Sequence, residues 1–164
     1  MKKISFTILI VILFVVGLFY IFNSYIYNEK QAEMVDVTLY YYNPSLDQGV
    51  GGVQCSEKGL YGVKRKIPKT LTPLYDSTKL LIRGELTAVE TNMGLTTEFP
   101  LEGFEIIGAK IENGLATLTF SDPNNKTVGG SCRTAILWNQ IKKTAMQFES
   151  VEDVRFLPEE LFQP

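Results

Sequence analysis

The fold is decided by residues 104–157, whose sequence is FEIIGAKIENGLATLTFSDPNNKTVGGSCRTAILWNQIKKTAMQFESVEDVRFL. Apolar residues alternate with other residues on both sides of Asn113-Gly114, a dipeptide that favours a two-residue β-hairpin turn because both positions adopt positive φ. From Thr134 onward, apolar residues recur every three or four positions, as on one face of a helix. A short apolar run from Val154 to Leu157 follows. The stretch therefore predicts a hairpin, a long helix and a final strand.

Upstream of this stretch, alternating residues predict two further strands, at Val37 to Tyr42 and at Val63 to Ile67. The second strand carries Lys64 and Lys66 on its outer face. These lysines favour a solvated edge that resists aggregation. The alternative is a contact with an acidic partner, such as a wall polymer or an anionic lipid.

Two helices are predicted between the strands and the hairpin. Thr72-Pro73 is typical of a helix start, with threonine as the N-cap and proline at the first helical position, and Gly84 is a suitable C-cap. Thr87 and Glu90 have the spacing of a capping box, which opens a short second helix ending near Gly94. We therefore expect an α+β domain over residues 36–164, with one mixed, largely antiparallel sheet packed by two main helices.

The N-terminal segment predicts the cellular location. Ile4 to Phe22 holds 19 residues without a charge, and a helix of this length spans roughly 28 Å, close to the thickness of the hydrocarbon core. We therefore predict a cytoplasmic tip and transmembrane anchor over residues 1–28 and a stalk over 29–35. Lys2 and Lys3 place the N-terminus in the cytoplasm, so the C-terminal domain lies outside a single-pass cell-membrane protein. A cleaved signal peptide is the alternative.

The charge composition excludes one class of function. The chain has 16 basic and 18 acidic residues, a net charge of -2 and no histidine. A general nucleic-acid-binding protein normally has a basic excess, so no nucleic acid is expected as a partner. Without histidine, acid–base catalysis would depend on carboxylates.

The two cysteines, Cys55 and Cys132, each follow a glycine-rich segment. In an oxidising compartment, an even number of cysteines predicts a disulfide. The alternative is two free thiols, one of them reactive near a helix N-terminus.

Loops in the same region contain two further candidate sites. Gly129, Gly130 and Ser131 precede the long helix, so they and Arg133 could contact an anion or a partner, although a helix cap is the favoured interpretation. The turn that begins at Asp122 lacks the glycine and glutamate of an EF-hand loop. No metal site or cofactor is predicted.

The order of these elements resembles the GerMN domain, the sporulation and spore-germination module. The resemblance is carried by the strand VKRKIP (63–68), the hairpin AKIENGLATL (109–118), the helix from Ile136 to Phe148 and the strand VEDVRF (151–156). It covers residues 35–157. It implies an α+β domain displayed outside the bacterial membrane, with a binding or assembly role and no catalytic residues.

Two functions therefore remain open. The first is a non-catalytic, membrane-tethered binding or assembly domain of the cell envelope. Its partner would be an envelope protein, a wall polymer or a second copy of the chain, and it would have an exposed sheet edge or apolar patch. The second is a small envelope hydrolase that cleaves wall glycan with paired carboxylates. Its candidate acids are Glu98, Glu102, Glu105 and Asp122.

Overall fold

The computed structural model describes residues 6–29 and 33–163, with side chains at 10–23 and 33–163. The chain divides into two units, with the boundary between Met34 and Val35. The first unit contains helix α1 (Phe6–Glu29). In the described part of the chain, no helix is long and apolar enough to cross a membrane. The structure thus gives no support to the predicted anchor from Ile4 to Phe22, and Ile4 lies outside the described residues.

From residue 34 onward, runs of strands and runs of helices follow one another, as in an α+β domain. The elements are β1 (Met34–Tyr42), β2 (Gln48–Gly49), β3 (Gly52–Val53), β4 (Leu60–Pro68), α2 (Pro73–Leu81), α3 (Ala88–Asn92), β5 (Glu105–Glu112), β6 (Leu115–Ser121), α4 (Ser131–Ala145) and β7 (Asp153–Leu157). β1 begins at Met34, inside the segment predicted as a stalk.

The hairpin and the final strand form as predicted. Asn113 and Gly114 have φ values of 51° and 81°, and the turn sets Glu112 of β5 opposite Leu115 of β6. β7 pairs with β6 in parallel. A parallel pair needs a long crossover, which α4 supplies here. The three strands make one sheet in the order β5, β6, β7.

The remaining strands do not join this sheet, contrary to the single sheet expected. Among the described residues, β1 pairs with β4 and β2 pairs with β3 in two separate two-stranded sheets. The physical reason lies in α4 and the turn after it. The Thr144 hydroxyl accepts a hydrogen bond from the Tyr40 N–H at 3.1 Å, and the Gln147 amide bonds the backbone of Thr38. Side chains therefore satisfy backbone groups of β1 that another strand would bond.

The core is shared by both larger sheets and the helices. α4 contributes Leu137, Ile141 and Ala145, all fully buried. Trp138 lies beside this stripe, half-buried, with its ring centroid 4.3 Å from that of Phe156. The other buried apolar side chains include Leu39, Tyr41, Leu81, Leu95, Leu118 and Phe120.

The two short helices differ in how they begin. At α3, Thr87 and Glu90 form both bonds of the predicted capping box. At α2, Thr72 stands at the predicted N-cap position and Pro73 begins the helix, but the Thr72 side chain caps no N–H. The Thr72 hydroxyl bonds the Asp76 carboxylate instead. After α2, Gly84 has a φ of +68°, and a Cβ there would lie 1.8 Å from the Phe99 carbonyl oxygen. Only glycine fits this position.

Candidate functional site

β5 has one edge that no strand among the described residues pairs with. Because Glu112 and Leu115 flank a two-residue turn, they form a hydrogen-bonded pair, and alternate residues of β5 point their backbone groups away from β6. Ala109 and Ile111 are those residues. Nearer the start of β5, the Tyr75 hydroxyl donates to the carbonyl of Ile106 at 3.2 Å. The open part of the edge therefore runs from Ala109 to Ile111.

A groove of about 310 Å³ lies beside this open edge. Its wall is the start of α2, and much of its lining is apolar. Leu71 is fully exposed and Ile111 is 38% exposed. The lining residues are Leu71, Thr72, Pro73, Leu74, Tyr75, Ala109, Lys110, Ile111, Phe148 and Ser150. Open backbone groups beside an apolar groove can bind an extended segment by strand addition.

The predicted disulfide joins Cys55 to Cys132, with 5.2 Å between their Cα atoms. Cys55 lies in the connection between β1 and β4, which also holds β2 and β3. Cys132 lies in the first turn of α4. The bond therefore ties this connection to the helix.

Asp47 organises the same connection through three hydrogen bonds. Its carboxylate accepts bonds of 2.6 Å from the Ser56 hydroxyl, the Ser56 N–H and the Tyr42 hydroxyl. The bonds from Ser56 and Tyr42 hold the pKa of Asp47 below its usual value. Burial and the bond to Asp47 raise the pKa of Tyr42 to about 12. Cys55 is thus held next to a fixed, hydrogen-bonded residue.

At the start of α4, where the sequence predicts an anion contact, Arg133 is bound to other groups of the chain. Gly130 is the N-cap, and no side chain caps the helix. The Arg133 guanidinium donates to the Glu98 carboxylate and to the carbonyl of Val128. Ser131 is exposed. Arg133 therefore supports the preceding loop, and anion binding at Gly129, Gly130 and Ser131 stays a prediction.

Comparison with protein families gives one match over most of the chain. The model of the Germane family, described as "Sporulation and spore germination", matches residues 38–160. The chain belongs to the Germane family. No curated protein matches the sequence.

Solved structures share the fold of this Germane domain. The tandem GerMN domains of the sporulation protein GerM from Bacillus subtilis are 20% identical, with a TM-score of 0.52 over 77% of this chain and 40% of that one. The first GerMN domain of the same protein is 17% identical, with a TM-score of 0.50 over 77% of this chain and 86% of that one. The present chain therefore spans two fifths of the tandem structure.

The four candidate acids of the Germane domain fall into two groups. Three of them have structural partners: Glu98 pairs with Arg133, Glu102 lies 3.6 Å from the Lys126 ammonium, and Asp122 bonds its own turn. Burial alone raises the pKa of Asp122, but bonds from the N–H groups of Lys126 and Thr127 and from the Thr127 hydroxyl outweigh it, and the net pKa is lowered. Glu105 is exposed on β5. Among the described residues, no three acidic or cysteine side chains group as metal ligands.

The sequence predicted an exposed sheet edge or apolar patch without assigning it to β5, and it did not predict the groove beside that strand. A signal for the edge was present, because the Asn113-Gly114 turn fixes which residues of β5 face away from β6. The groove had no such signal. It depends on the start of α2 lying beside β5, a contact between residues more than 30 positions apart.

Proposed function

We propose that this Germane domain is a non-catalytic binding module of the bacterial cell envelope that holds a partner protein by strand addition to β5. The observation that carries the proposal is the open edge from Ala109 to Ile111 beside an apolar groove. Backbone bonds to the edge would provide affinity, and alternate side chains of the partner would fill the groove. Because Leu71, Ile111 and Phe148 line the groove, those alternate side chains are apolar.

The proposed location is outside the cytoplasm. The disulfide between Cys55 and Cys132 supports it, since such bonds persist in oxidising compartments and are rare in the cytoplasm. Single-pass attachment through residues 4–22, with the N-terminus in the cytoplasm, stays a prediction from the sequence.

The non-catalytic role is supported by the surroundings of Asp122 and Glu98, two of the acids that a hydrolase could use. Glycosidases keep one carboxyl group as an acid with a raised pKa. Asp122 has a lowered pKa instead, and the Glu98 carboxylate forms an ion pair with Arg133. These contacts favour structural roles for both residues.

The test is crosslinking of the full chain in its own host, followed by identification of the captured proteins. Two variants block the edge in different ways. Ala109→Pro removes an N–H that faces away from β6, and Ile111→Glu places a charge in the groove. The matched control is Val89→Glu, because Val89 is an exposed apolar residue on α3, away from the groove.

We expect one protein to be captured by the wild type and by Val89→Glu, and lost from both edge variants. Thermal melting of each variant establishes that it is folded. Capture of the same proteins by all four chains would overturn strand addition at β5. If the wild-type chain is crosslinked to another copy of itself and the edge variants are not, the partner is a second copy of the chain.

A further inference from the structure

The basic residues of the chain are concentrated in one segment. Residues 58–83 hold seven lysines and arginines and one acid, Asp76, in a chain whose net charge is -2. This segment comprises β4, α2 and the loop between them. A concentration of one sign of charge raises the local density of ions and polymers of the opposite sign.

The cations of this segment have two different surroundings. Arg65 points toward α3, where its guanidinium makes two bonds of 2.7 Å to the Glu90 carboxylate. Lys64 and Lys66 occupy the alternate positions of β4 and are exposed. Arg65 therefore stabilises the fold, and the two lysines face solvent.

Three of the exposed cations line one groove. It has a volume of about 360 Å³ and is formed by the end of β4, the following loop and the outer face of α2. Its lining residues are Lys66, Ile67, Pro68, Thr70, Asp76, Lys79, Leu80 and Arg83. The Asp76 carboxylate accepts a hydrogen bond from the Thr70 hydroxyl. The groove thus has an excess of positive charge, with Asp76 as its acid.

The partners of these cations within the chain hold them weakly. Lys66 lies 3.1 Å from Asp36 and Arg83 lies 3.4 Å from Glu85, and every one of these side chains is more than half exposed. Such surface pairs contribute about 0 to 1 kcal/mol. The Lys79 ammonium lies 5.6 Å from the centre of the Tyr75 ring. Anions in the groove can therefore replace these contacts at little cost.

We propose that the groove of Lys66, Lys79 and Arg83 binds a phosphodiester-linked polymer of the cell wall. Spaced cations in a concave surface match successive phosphates along a chain. Asp76 and the Thr70 hydroxyl provide acceptors for the hydroxyl groups of a polyol or sugar between the phosphates. The concave shape favours a flexible polymer over the flat surface of a lipid bilayer. The groove includes Lys66, Ile67 and Pro68 of β4 and shares no lining residue with the groove beside β5, so its ligand is independent of the partner protein.

The test measures binding of poly(glycerol phosphate) to the full chain, solubilised in a neutral detergent, over a range of salt concentrations. The variant is Lys66→Gln/Lys79→Gln/Arg83→Gln. The control, Lys126→Gln/Lys143→Gln/Arg155→Gln, removes the same charge from exposed residues outside both grooves. Vesicles of phosphatidylglycerol serve as the second probe, and thermal melting establishes that both triple variants are folded.

We expect the groove variant to bind the polymer at least about tenfold more weakly than the wild type does. The affinity of the control variant should change by less than about twofold. The slope of log affinity against log salt should fall by about 2 in the groove variant, since each phosphate contact on a flexible strand contributes about 0.7. Equal losses in both variants would overturn the proposal in favour of non-specific charge attraction. Binding to the vesicles without binding to the polymer, or no binding at all, would also overturn it.

Discussion

Gln147 pairs with the backbone of Thr38 in both directions. The Thr38 N–H donates to Oε1 of Gln147 at 2.6 Å, and Nε2 of Gln147 donates to the Thr38 carbonyl at 3.0 Å. The side-chain amide thus takes the place of a residue on a neighbouring strand. Because the two residues are 109 positions apart, this contact joins the start of the domain to the turn after α4.

We expect Gln147→Met to lower the free energy of unfolding by about 2 kcal/mol, since it leaves a partly buried donor and acceptor of β1 without their bonds. Chemical denaturation of the full chain measures this. The control is Gln163→Met, which removes an exposed bond to the Glu159 carbonyl and should change stability by less than about 0.5 kcal/mol. If both variants lower the free energy of unfolding by the same amount, the bonds between Gln147 and Thr38 stabilise the domain no more than an exposed hydrogen bond does.

Replacement of both Cys55 and Cys132 by serine should lower the melting temperature by many degrees. The bond closes a loop across a separation of 77 residues, and the chain-entropy estimate for such a loop is about 4 kcal/mol. Differential scanning calorimetry of the oxidised protein, the reduced protein and the double variant provides the comparison. A melting curve unchanged by both treatments would show that the bond does not stabilise the domain.

The free energy of unfolding should decrease at acidic pH, because the Glu90 carboxylate becomes protonated there. The hydrogen bonds from Arg65 hold the pKa of Glu90 at about 2, against 4.5 for the free side chain. A carboxyl group with a lowered pKa contributes its stabilisation above its unfolded pKa and loses it as pH falls through the folded one. The contribution is therefore complete above about pH 5 and declines toward pH 2.

Glu90→Gln should flatten the dependence of unfolding free energy on pH between about 5 and 2. Denaturation midpoints at a series of pH values measure it. The control is Glu85→Gln, whose carboxylate pairs with Arg83 at the surface and should leave the profile close to that of the wild type. If both variants follow the wild-type profile, Glu90 does not carry the acid sensitivity.

Trp138→Ala should lower the free energy of unfolding by about 3 kcal/mol. The indole ring packs against Phe156 and lies 6.1 Å from the ring of Phe162, so its removal leaves a cavity between α4 and β7. Tyr61→Ala, at a 40% exposed aromatic residue, is the control and should cost much less. A near-neutral Trp138→Ala would show that the ring does not stabilise the core.

Local patterns in the sequence predicted those turns and helices whose start or end is marked by residues close to it along the chain. The Asn113-Gly114 turn and the capping box of Thr87 and Glu90 each lie within four residues, and both are present. The helical period after Thr134 also predicted α4, which ends at Ala145 before Phe148 is reached. The Germane fold was predicted from the order of these elements.

Apart from the disulfide between Cys55 and Cys132, contacts between distant residues were not predicted. The bonds of Gln147 to Thr38 and of Thr144 to Tyr40 split one expected sheet into two, and no local pattern marks a side chain that will bond a strand. The same limit applies to the cationic groove of Lys66, Lys79 and Arg83. For Lys66 the sequence left contact with an acidic partner as the alternative to a solvated edge, but it did not predict that Lys79 and Arg83 would line one groove with it.

The disulfide has a topological consequence for both proposed surfaces. Residues 55–132 form a covalently closed ring, and this ring contains the groove cations Lys66, Lys79 and Arg83 as well as the edge from Ala109 to Ile111. A protease that cuts once within the ring, for example beside the fully exposed Leu71, opens it without separating the fragments. The nicked protein therefore keeps its full mass until a reductant divides it in two.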